Sequence, residues 1–102
     1  MPMTYKSIST AASGDTTILA GVAGHNYRVI NYVIVSGGTT NITFKSGAAA
    51  VTGAMPLVAN SGVSAASTRD APLWESVALG DALVINNSAA IQISGHITFF
   101  DQ

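Results

Sequence analysis

Reactive side chains are few in this sequence and widely spaced. The acids are Asp15, Asp70, Glu75, Asp81 and Asp101. A glycosidase needs two carboxylates facing each other across a cleft. Asp15, Asp70 and Asp81 fall in expected turns or loops, and Asp101 lies beside the C-terminal residue. Glu75 is the one acid inside an expected strand, and no partner can be named for it. His25 and His96 belong to no H-x-H or H-x-x-x-H pair. A metal site of any strength takes three or four ligands with supporting partners, so His25 reads as a turn residue and His96 as a polar-face residue. Cysteine is absent, which removes disulfides, thiolate zinc sites and a thiol nucleophile. Serine is abundant, but no G-x-S-x-G elbow occurs. Ser36-Gly37-Gly38 lacks the helix and the lysine of a phosphate loop. Asn41-Ile42-Thr43 and Asn86-Asn87-Ser88 match the glycosylation pattern, which counts as chance without a secretory leader. The expectation is a non-enzyme with no cofactor and no metal.

The bulk properties exclude further classes. A chain of 102 residues makes one domain with a single core. Its net charge of −1 and its scattered cations, Lys6, Arg28, Lys45 and Arg69, argue against nucleic acid. The hydrophobic fraction is 48%, yet no run approaches the ~20 apolar residues of a membrane span. Charged residues make up 9%, against about a quarter in ordinary soluble domains. Such a surface has little protection against association, so a homo-oligomer or an assembly subunit is expected. Met1 opens a polar stretch rather than a leader, placing synthesis in the cytosol.

Residues 26–38 (N-Y-R-V-I-N-Y-V-I-V-S-G-G) are the densest β-branched and aromatic run. Both of its faces are largely apolar, which predicts a central strand with the core on one side and a second layer or another subunit on the other. Residues 1–13 read as an arm or first strand, with alternation over 5–10, and residues 14–102 as one domain. Gly14-Asp15 reads as a turn before a strand over 16–22. Gly37-Gly38 reads as a hairpin turn tolerant of positive φ, leading into a strand over 40–45. Short strands follow at 54–59 and 62–66, with Pro56 at an edge or bulge. Residues 67–72 are a loop. Residues 73–79 alternate with Leu73, Val77 and Leu79 on one face and Trp74 on the other. A strand over 82–85, a turn at Asn86-Asn87-Ser88 and a cleanly alternating strand over 90–100 complete the chain. This is an all-β pattern: an antiparallel β-sandwich or jelly roll of about eight to nine short strands.

Several runs go together as a group: G-H-N-Y-R-V-I-N-Y at 24–32, T-F-K-S-G at 43–47, G-A-M-P-L-V-A-N-S-G-V at 53–63, G-D-A-L-V-I-N-N-S-A-A at 80–90 and I-S-G-H-I-T-F-F at 93–100. Over about residues 14–100 the chain resembles small all-β virion proteins of tailed bacteriophages, especially capsid cement (decoration) proteins. The resemblance implies a homotrimer on the outer capsid surface, with the major capsid protein as partner and synthesis in the bacterial cytoplasm. A tail fibre or tail-tip module binding host glycan is the alternative. The candidate contacts are Tyr27, Arg28 and Tyr32 toward a neighbouring protomer. Pro2, Tyr5 and Lys6 of the arm and Arg69 and Asp70 of the loop are candidates toward the shell. Trp74 is either an exposed anchor or a filler of the second layer.

Overall fold

The apolar–polar alternation becomes ten strands in a computed structural model, which describes residues 3–102. In chain order they are β1 (Met3–Thr10), β2 (Gly14–Leu19), β3 (Tyr27–Ser36), β4 (Thr40–Ser46), β5 (Ala49–Ala50), β6 (Met55–Leu57), β7 (Gly62–Ala66), β8 (Trp74–Glu75), β9 (Leu83–Asn87) and β10 (Ile93–Asp101). They form two 5-stranded antiparallel sheets. One runs β1-β10-β3-β7, with β8 also on the β3 edge. The other runs β2-β9-β4-β5, with β6 also on the β4 edge. The core lies between the sheets and centres on Phe44, Ile34, Ile42, Ile85, Ile93, Ile97 and Val29. The fold is a β-sandwich.

β3 is central, as its composition requires, but its side chains do not alternate throughout. β10 pairs Thr98 with Asn31 and Phe99 with Val29, so Ile30 is an extra residue on β3. This bulge moves the core-facing set from Tyr27 and Val29 to Tyr32 and Ile34. Both faces of the run look apolar because each faces the core for half the strand. Ile30 itself is buried outside the central cluster. Its carbonyl accepts the N–H and the hydroxyl of Ser67, and Val29 accepts the N–H of Leu73. Between these anchors the 67–73 segment loops outward, with Arg69 over the Phe100 ring. This loop is the second layer over one end of the sheet.

Several local expectations are corrected. Gly37-Gly38 is not a hairpin turn, because β3 and β4 lie in different sheets. The pair arches between them, held by the Gly37 N–H to Gln92 carbonyl bond. Neither glycine has positive φ. A Cβ at Gly38 would come within 2.8 Å of Ile91 Cδ1, the end of a side chain that can turn aside. Gly14-Asp15 opens β2 instead of preceding it. Residues 73–79 contribute only β8. Trp74 faces the core, while Val77 and Leu79 are exposed. The chain leaves the sheet after Glu75 because other acceptors take its amides. Ser46 Oγ accepts from Val77, and Asp81 Oδ2 accepts from Ala78 and from the Ser46 hydroxyl. Asn86-Asn87 lies in β9 and not in a turn. Asn87 is fully buried, and its amide is satisfied by the Ile91 carbonyl and the Thr40 hydroxyl. A buried amide is tolerable only when hydrogen-bonded in this way.

Candidate interaction surface

The sandwich presents two outer faces of different character. On the β2-β9-β4 sheet, Asp15, Asn86 and Thr43 are in register. The Lys45 ammonium lies 2.9 Å from Asp15, and the Asn86 amide donates to the other carboxylate oxygen at 2.7 Å. These contacts hold the Asp15 carboxyl below its ordinary pKa, Asn86 first and Lys45 second. A depressed folded-state pKa means that this stabilisation is present above the unfolded carboxylate range. It is lost as pH falls through the folded-state value. A side-chain NMR titration should therefore place Asp15 below an ordinary aspartate. Asn86→Ala should move it up, and an unchanged midpoint in that variant would contradict the assignment.

Away from its β8 end, the outer face of the β1-β10-β3-β7 sheet carries no Asp, Glu, Lys or Arg in its paired rows. Register places Tyr5, Thr98, Asn31 and Ala66 in one row. Ser7, His96, Val33 and Ser64 form the next. Ser9, Ser94, Val35 and Gly62 form the third. Paired residues in neighbouring strands share a face, so this is a grid of small or polar side chains with His96 in its middle row. An open depression of about 360 Å³ lies over Asn31, Val33, Ser64 and His96.

Charge gathers at one end of this face, in the row Met3, Phe100, Arg28 and Glu75. The Arg69 guanidinium carbon sits 4.3 Å from the Phe100 ring centre, a cation–π geometry. Arg28 Nε is buried, 3.5 Å from Glu75 Oε1, and makes no hydrogen bond among the described residues. Glu75 instead accepts from the Asn26 amide at 3.0 Å. Arg69 thus covers the Phe100 ring while Arg28 is the register partner of Phe100 on β3, an arrangement made by the bulge and the 67–73 loop and not visible as a spacing in the sequence.

The nine candidate contacts separate into three groups. Tyr5, Lys6, Arg69 and Asp70 are exposed, and Arg28 is half-buried on the same side as Phe100. Tyr27, Tyr32 and Trp74 point into the sandwich instead of toward a partner. Trp74 packs on Phe44 at 5.2 Å and on Tyr32 at 6.0 Å between ring centres, and Tyr27 meets Phe99 edge-on. Burial raises the phenol pKa of Tyr27 and Tyr32, with the Asp101 charge adding to the effect at Tyr27. The aromatic content of the organising strand therefore belongs to the core. Pro2 lies outside the described residues.

Of the groups weighed for catalysis, His25 and the acids Asp15, Glu75, Asp81 and Asp101 have hydrogen-bond partners. His25 Nδ1 lies 2.7 Å from Asp101 Oδ1, tying the β2–β3 connection to the end of β10. His96 stands in the middle row of the grid. Among the described residues no three of His, Cys, Asp and Glu gather as metal ligands. The sequence reading missed Met3 and these rows; the available signal was the Ser/Thr alternation over 7–10 and 94–98.

Comparison with models of known protein families finds no match, and comparison with curated proteins finds none either. The chain is thus placed by its fold, an antiparallel β-sandwich.

Proposed function

We propose that this chain is a structural virion protein of a tailed bacteriophage, a cement protein that binds the outer capsid surface and stabilises the mature shell. The observation that supports this reading is the part of the β1-β10-β3-β7 outer face, three rows deep, that carries no Asp, Glu, Lys or Arg. Covering such a face avoids the large cost of desolvating charges, provided the partner answers its hydroxyl and amide groups with hydrogen bonds, and it demands no strong charge from that partner, here the major capsid protein. A cement subunit that binds only the mature arrangement of shell subunits stabilises that arrangement by mass action. Many weakly bound copies then resist internal pressure together. No catalytic group or cofactor enters this role.

A second reading, a tail module binding host glycan, draws on the depression over Asn31, Ser64 and His96. Trp74 no longer serves as its stacking residue, so exposed Tyr5 takes that part. Quantitative mass spectrometry of purified particles separates the two. Copies comparable with the major capsid protein are expected for a cement protein. A few copies per particle, with a glycan-array signal that Tyr5→Ala or His96→Ala removes, mean the tail module. Absence from particles overturns both.

A further inference from the structure

The two halves of β1 are held differently. Ile8 is the strand's one buried side chain, at 4% exposure. Beside it, Ser9 accepts from the Gln92 amide at 3.2 Å, and the Thr10 and Thr16 hydroxyls lie 3.1 Å apart. Residues 3–7 are all exposed, including Thr4 and Lys6, which share the core-side parity of Ile8. Among the described residues no side-chain hydrogen bond or ion pair holds them. Beneath the middle of the strand lies a cleft and not packed core. It opens about 170 Å³ between Lys6, Ile8 and Thr10 of β1 and Thr16, Ile18 and Ile85 of the opposite sheet. Backbone pairing with β10 continues from Thr10↔Ile93 to Met3↔Phe100, and over residues 3–7 it is the hold that remains. Exposed side chains over solvent-accessible backbone bonds mark the low-stability end of a fold.

We propose that residues 3–7 form a strap that opens from β10 while the rest of the sandwich stays folded, with residues 8–10 as its fixed end. Closed, the strap presents Lys6 near the middle of the sheet edge, a charge of the kind that discourages edge pairing. Open, it bares β10 over residues 96–100 (H-I-T-F-F), which contain no Asp, Glu, Lys or Arg. The strap thus exchanges a guarded edge for an unguarded one. Opening breaks the pairing of β10 on one side only, because β3 stays paired along its other side. Of β1, the core cluster includes Ile8 alone, and Ile8 belongs to the fixed end.

Hydrogen exchange of the full chain, read by NMR, tests this within a single strand. Successive amides of an antiparallel strand point to opposite neighbours, so those of residues 96–100 alternate between β1 and β3. The amides directed at β1 are expected to exchange at least about tenfold faster than those directed at β3. Low urea should leave the fast set unchanged, because a local opening exposes little surface. Equal rates in the two sets, rising together with urea, overturn the proposal, since β1 would then leave only with the whole fold. A second measurement uses the double variant Thr4→Pro, Tyr5→Pro. It removes an amide bonded to β10 whichever way the alternation falls. Its urea midpoint, followed by Trp74 fluorescence, should stay close to that of the unmodified chain. A large fall, or failure to fold, overturns the proposal. Neither measurement involves a capsid, so both are independent of the cement reading.

Discussion

Gly95→Ala is expected to lower the stability of this protein by about 3 kcal/mol or more, the range reserved for enforced backbone strain and steric overlap. Gly95 sits in β10 between Ile8 and Ile34 of its two neighbouring strands. A Cβ built there would lie 1.9 Å from the Val33 carbonyl oxygen and 2.8 Å from its carbon. Those atoms are backbone of the central strand, so no side-chain rotation relieves the overlap. Relief requires β10 and β3 to part, and that pairing holds the sheet together. Urea unfolding followed by Trp74 fluorescence measures the loss as a lower midpoint. Gly53→Ala is the control, because nothing lies within 4 Å of its Cβ position and its φ is not positive. It should change stability by less than about 1 kcal/mol in either direction. Equal midpoints for Gly95→Ala and the unmodified chain would refute the close approach.

Phe44→Ala is expected to cost about 3–5 kcal/mol, the usual range for removing a buried phenylalanine. Phe44 is fully buried in β4 and lies between two rings, with centroids 4.8 Å from Tyr32 and 5.2 Å from Trp74. Tyr32 and Trp74 belong to the opposite sheet, so the three rings join the two layers. Truncation removes the middle of this contact and leaves a cavity that neither β-strand backbone can close. Phe44→Leu keeps much of the volume and should lose substantially less. Calorimetry of both variants checks the order, and a Leu variant as unstable as the Ala variant would show that ring stacking outweighs filled volume.

The sequence carried the strand content of the fold but not the pairing of its strands. Ile42 and Phe44 in β4, and Ile93, Ile97 and Phe99 in β10, alternate with polar residues and reach the core as alternation requires. The strand over 62–66, the loop after it and the edge position of Pro56 were likewise local matters. The buried apolar residues of these strands pack as one cluster. Gly37-Gly38 reads the same whether the chain turns within a sheet or crosses between sheets, because nearby residues do not record which strand lies beside them. The β8 segment failed for a related reason. Val77 and Leu79 alternate as a strand would, but the Ser46 side chain, distant in sequence, and the Asp81 side chain, three residues beyond Ala78, take the amides that a strand would use.

The interaction surface was less legible still. Tyr27, Tyr32 and Trp74 carry large apolar areas, and sequence alone does not distinguish an interior aromatic from an exposed one. The Ile30 bulge decides the matter for the tyrosines. Without its extra residue, Tyr27 and Tyr32 would point to opposite faces; with it, both enter the core. Residue types and their alternation by themselves determined that this chain is all-β, weakly charged and poor in groups for catalysis, since those properties depend on each residue and its immediate neighbours. Tertiary structure decided the strand order, the rows of the outer faces and the seating of Arg69 over Phe100. Each of those depends on a pairing between distant segments, and pairing is set by which backbone and side-chain groups remain unsatisfied once the whole core has closed.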